Sequence, residues 1–193
     1  MVKPIAADLS RDGDPPRHPA LSIALHWISA LAIVAAFVLV LGRELFDEKA
    51  VRAMLLTGHR SAGLLVLVIT AARLVTRHRR EVTQATESGF ERLVAGAVHT
   101  VLYLMMIALP LLGWALSSAR GHVVSLFGMI DLPALVARNV DLADQLGDIH
   151  ETLAWTLLGF ACVHAAAALW HHFVRGDAIL RAMSPFRVRI RRA

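Results

Sequence analysis

Cysteine is almost missing from this sequence and charge is scarce. The one cysteine, Cys162, stands inside an apolar run, so an intrachain disulfide is excluded. Only 18% of the 193 residues are charged, against about 25% in an ordinary soluble domain, while 56% are hydrophobic. Aromatics make up 6% and hardly occur among the basic residues. The net charge of +5 and the pI near 10.6 therefore read as membrane flanks rather than as a nucleic-acid surface. A leader peptide is not recognisable either. Residues 1–20 form a polar tail with Pro15 and Pro16, no cleavage site follows, and the first apolar run starts late and runs long. Repeats and low-complexity tracts are absent. The length suits one domain spanning 1–193.

What is present is four apolar segments, at about 21–41, 54–72, 93–118 and 149–172, each near the ~20 residues a spanning helix needs. They predict an all-α, integral membrane four-helix bundle with an up-down-up-down path, followed by a basic tail over 173–193. Pro110 should kink the third helix, with Gly113 as a close-packing point just beyond. Lysine and arginine crowd the N-terminal tail (Lys3, Arg11, Arg17), the second connection (Arg73, Arg77, Arg79, Arg80, Arg92) and the C-terminal tail. The first connection balances its bases against Glu44, Asp47 and Glu48, and the third holds only Arg120 and Arg138. By the positive-inside rule both termini are expected in the cytoplasm of a multi-pass protein of the bacterial inner membrane. The third connection, about 119–148, is the only long one. Its middle, VVSLFGMIDLPALVARNV, suggests a short amphipathic cap at the outer interface, the alternative being an ordinary loop.

Histidines carry the chemistry. His150 and His164 lie fourteen residues apart on the fourth segment, a rise of about 21 Å with a turn of about 40° on a helix. With the path above, His26 near the start of the first helix matches the depth of His164, and His59 early in the second matches His150. A single intramembrane histidine is as often a packing residue as a ligand. Four that fall into two depth-matched pairs point to ligation. Imidazole is a common iron ligand, and two on one haem leave no open position. Covalent c-type attachment is excluded, because Cys-x-x-Cys-His does not occur.

Other candidates stand around these four. Arg60 follows His59 and reads as a haem-propionate partner, an attractor of anions or a snorkelling headgroup contact. His171, seven residues past His164, suits a propionate partner or a proton donor to a bound quinone, with interfacial snorkelling as the plain alternative. His172 beside it suits the helix dipole. His99 with Tyr103 one turn on reads as bundle packing, or as part of a quinone pocket. His18 and His78 read as solvated, and His122 as a loop residue or part of an outer entrance.

The chain resembles the bacterial cytochrome b561 family over nearly its whole length. The likeness is carried by ALHW around His26, GHRSAG around His59, HTVLYLMMIALPLLGW in the third helix, and IHETLAW with VHAAAALWHH in the fourth. The resemblance implies two haem b groups held by His26 with His164 and by His59 with His150. It also implies electron exchange with ubiquinone. The branch it looks most like is superoxide oxidase, an oxidoreductase that takes electrons from superoxide outside and gives them to ubiquinone. Arg60, with Arg52, Arg120 or His122, would then draw the anion in. The alternatives are an electron relay between the quinone pool and a periplasmic or dehydrogenase partner, a proton or metal transporter, and a bare membrane anchor.

Overall fold

The computed structural model describes residues 18–78, 89–177 and 179–185. Four long helices dominate: α1 (Ala20–Gly42), α2 (Lys49–His78), α3 (Gly89–Ala119) and α4 (Val140–Phe173), with a four-residue turn α5 (Ile179–Ala182) after them. All four are long and apolar enough to cross a membrane. Leu31, Val34, Val38, Val68, Val163 and Leu169 lie exposed along their flanks, as expected where lipid rather than water is the surrounding solvent. The chain is thus the all-α membrane bundle that its hydropathy predicts. Two of its ends differ in character. The start of α1 and the close of α4 share one end, the terminal end, with the close of α2 and the start of α3. The connection between α3 and α4 occupies the other, the hairpin end.

The helices overrun the apolar segments that announce them. The fourth starts at Val140 rather than near 149, because Asn139 in an extended conformation caps it, its side chain accepting from the Leu142 N–H at 3.0 Å. Asp141 sits in the first turn, where the helix dipole favours it. Hydropathy sees only the apolar stretch that follows these polar turns. Pro110 lacks the N–H that would bond the Met106 carbonyl, yet α3 continues through it unbroken.

Helix packing relies on small hydroxyl residues. Ser29, Thr70, Ser117 and Ser118 are buried and return their hydroxyls to carbonyls one turn earlier, Leu25, Val66, Gly113 and Trp114, at 2.7–3.0 Å. That satisfies them locally and leaves thin helix faces for close approach. Neighbours in sequence pack together: α1 on α2, α2 on α3, α3 on α4. Among the described residues, no Cα of α4 comes within 8 Å of α1 or α2. Midway along the bundle Ala32, Val66, Met106, Leu109 and Leu157 form an apolar layer from all four helices.

The long connection forms a β-hairpin, β1 (Val124–Leu126) with β2 (Ile130–Leu132), rather than a simple amphipathic cap. Its turn places Phe127 and Gly128 at φ 53° and 72°, a region that suits glycine and strains phenylalanine. Ser61 of α2, fully buried, accepts from the Phe127 N–H at 2.9 Å and donates to the Ser125 carbonyl at 3.3 Å. Trp114 and Ser118 of α3 tie down Pro133 and Leu135 in the same way. The loop is therefore sewn across the bundle mouth, two residues from His59. Replacing Ser61 with Ala leaves the Phe127 N–H without its partner in a strained turn, which is expected to cost about 1–3 kcal/mol. A lower thermal midpoint in detergent, with faster proteolysis at the hairpin than in the helices, checks it.

Candidate functional site

The structure brings the four histidines together in two pairs. At the hairpin end His59 of α2 faces His150 of α4, ring centres 6.2 Å apart and planes 81° to each other. At the terminal end His26 of α1 faces His164 of α4, again at 6.2 Å, with planes at 69°. Both pairs therefore span the helices that hold apart, α4 from α1 and α2.

That spacing has a chemical meaning. A metal–imidazole bond is about 2.0 Å and the ring centre lies about 1.1 Å behind the nitrogen, so two imidazoles on opposite sides of one metal stand roughly 6.2 Å apart. Direct hydrogen bonding or stacking would bring them closer. His99 of α3 supplies the contrast: its ring lies 5.1 Å from His164, edge to face, too near for an ion between them. It is a neighbour of the His26–His164 pair. Among the described residues, no three His, Cys, Asp or Glu side chains gather into a metal site built of protein alone. Two facing imidazoles without further protein ligands suit a metal whose remaining ligands come from a flat macrocycle.

The surroundings of each ring fit that use. The His59 Nδ1–H donates to the Ala36 carbonyl of α1 at 2.8 Å, which fixes the ring and leaves Nε2 as the nitrogen free to ligate. His150 lies against Gly113 of α3, where an added Cβ would stand 3.1 Å from its Cε1. The imidazole occupies the space that a side chain would need. Its Nδ1 is buried without a hydrogen bond among the described residues, the mark of a ring aimed by packing. At the terminal end the Arg73 guanidinium of α2 stands 3.3 Å from His26 Nδ1 and lies over the Tyr103 ring, 5.1 Å from its centre.

The flanking candidates are placed as follows. Arg60 is half-buried beside His59, with Arg43 and Arg120 nearby. Arg52 is engaged with Glu44 at 3.1 Å, and His122 is exposed in the loop. His171 is held by Asp177, Nδ1 to Oδ2 at 2.5 Å. Burial alone would raise the Asp177 pKa, but hydrogen bonds from His171 and the Ile179 N–H outweigh it and keep the carboxyl below its usual range. Close by, Trp27 donates to the Met183 carbonyl at 2.8 Å and Arg175 pairs with Glu91, so the segment after α4 folds under the terminal end. The side chain of His78 lies outside the described residues. Sequence reasoning took Arg73 for a flank charge and overlooked Asp177 and Ala36; no periodicity announces them.

A four-helix membrane bundle with two levels of facing imidazoles has the build of a b-type electron-transfer protein. The family model described as prokaryotic cytochrome b561 matches residues 17–186, and the chain belongs to that family. Membership makes it a membrane electron-transfer protein and implies haem b as cofactor. The chain is 32% identical to cytochrome b561 homolog 2 of Escherichia coli K12, across 91% of this chain and 95% of that one. It is 31% identical to cytochrome b561 homolog 1 of the same organism, across 89% and 98%. The "Probable superoxide oxidase CybB" of Yersinia pestis is 32% identical across 88% and 96%.

Gly113 gives a direct test of the hairpin-end pair. Replacing it with Val must displace the His150 ring, so purified protein is expected to bind less haem per chain than wild type. Pyridine haemochrome quantification measures it.

Proposed function

We propose that the chain binds two b-type haems, one between His26 and His164 and one between His59 and His150, and carries electrons from superoxide at the hairpin end to ubiquinone at the terminal end. The observation that carries this reading is the repeated 6.2 Å spacing across helices whose Cα atoms stay more than 8 Å apart. Excess lysine and arginine in both tails and in the α2–α3 connection supports termini in the cytoplasm of the inner membrane, with the hairpin facing outward.

Haem held by these histidines would supply reversible one-electron transfer. The residues do the remainder. His59 and His150, aimed by Ala36 and Gly113, hold the outer level; His26 and His164 hold the inner one. Arg60, with Arg43 and Arg120 beside it, forms a positive rim that draws an anion toward the outer edge or holds a propionate there. Two superoxide anions give up one electron each and leave as dioxygen. Ubiquinone takes both electrons and two protons to become the quinol. His171 can hold a proton on the terminal face, with Asp177 fixing its ring, either for that quinone or for a propionate. The superoxide oxidase name of the Yersinia pestis relative supports this donor.

A relay to a periplasmic protein partner is the second reading, favoured by the exposed apolar hairpin tip of Phe127, Met129 and Ile130. Protein reduced by superoxide is expected to pass electrons to a ubiquinone analogue, more slowly as ionic strength rises. Arg60→Gln should lower the superoxide rate several-fold and flatten its salt dependence. Reduction by quinol with indifference to superoxide would favour the relay. His164→Ala should remove one haem and leave the other bound.

A further inference from the structure

The two ligand pairs differ in what stands behind their rings. Behind His59 is a carbonyl, that of Ala36, accepting from Nδ1 at 2.8 Å. Such an acceptor makes the imidazole more electron-rich and favours oxidised iron. Behind His26 is a cation: Arg73 Nη2 lies 3.3 Å from Nδ1. An imidazole bonded to iron through Nε2 keeps its proton on Nδ1, so there the guanidinium acts as a fixed charge rather than as a donor. Arginine does not lose that charge in a protein. Its seat over the Tyr103 ring, 5.1 Å from the centre, holds it in place by a cation–π contact. Reduction removes one positive charge from the iron, so a neighbouring cation favours the reduced form.

We propose that Arg73 is a positioning residue that holds the potential of the haem on His26 and His164 above that of the haem on His59 and His150. This rests on the two-haem reading above and deepens it, because it makes the step from the hairpin end to the terminal end run downhill. Arg60 and Arg43 act on the outer haem with the same sign. Arg43, however, is engaged with Glu44 at 3.2 Å, and the group bonded to the His59 ring is the Ala36 backbone carbonyl rather than either cation.

The test is a potentiometric titration of the purified two-haem protein, followed by its visible absorption. Wild type is expected to give two one-electron waves, and His59→Ala, keeping only the terminal-end haem, identifies the upper one. Arg73→Gln should raise the oxidised-to-reduced ratio of that haem at least tenfold at fixed ambient potential, a downward move of 59 mV or more for a one-electron couple. The lower wave should stay in place, and Arg73→Lys should sit between Gln and wild type. Arg73→Met, which keeps length and packing without charge, must reproduce the shift and serves where Gln does not fold. Unmoved waves in both neutral variants with two haems retained would overturn the role of Arg73 while leaving the two-haem reading intact. Loss of the terminal-end haem in Gln, Met and Lys variants alike would make Arg73 a structural residue and likewise overturn it. Wild type with fewer than two haems would overturn both.

Discussion

Two imidazoles share one metal only if something keeps them about 6 Å apart, and in this bundle the spacer is the wide berth between α4 and its diagonal or wrap-around neighbours. Ordinary helix pairs close to 8–10 Å between axes. Here α1, α2 and α3 follow one another closely, while among the described residues no Cα of α4 lies within 8 Å of a Cα of α1 or α2. An apolar protein would close such a gap. The mid-bundle layer of Ala32, Val66, Met106, Leu109 and Leu157 is where all four helices do converge, and the two histidine levels lie above and below it. A seam of ordinary side chains thus separates the two histidine levels.

Close packing elsewhere permits that opening. Ser29, Thr70, Ser117 and Ser118 satisfy their hydroxyls within their own helices, so α1–α2 and α3–α4 draw together without a polar debt. The hairpin adds a tie at one end. Ser61 joins it to α2 and Trp114 and Ser118 join it to α3, and the segment after α4 adds another through Trp27 and Met183. Both ties lie at the ends of the bundle, where side chains reach polar partners without crossing lipid.

Much of this was legible in the sequence because a membrane turns position into depth. Four apolar runs gave the spans, the alternation of direction gave each histidine a level, and His26, His59, His150 and His164 then had one depth-consistent pairing, which is the juxtaposition found. What stayed hidden depends on contacts between elements. Arg73 ends an apolar run as any flanking arginine does, and only the approach of α1 and α3 shows it against His26 and Tyr103. Asp177 looks like a loop carboxylate until the chain turns back under His171. The hairpin hid for a local reason: its apolar residues suggest an interfacial segment, while Gly121, Gly128 and Pro133 interrupt any helical period. The early start of α4 escaped because a cap, Asn139, and not hydropathy sets it.

One helix supplies a member of each pair, and this has a consequence for transfer across the membrane. The rise from His150 to His164 is set by fourteen residues of continuous helix, about 21 Å, within a hydrocarbon layer of about 30 Å. No loop or domain contact enters that length, so the separation of the two levels is as stiff as the helix itself. Each level is left within a few ångströms of one surface by the same arithmetic, close enough for a partner at the rim to exchange electrons without reaching iron. The two rims are chemically unlike. Arg43, Arg60 and Arg120 gather at the hairpin end, whereas at the terminal end His171 is paired with Asp177.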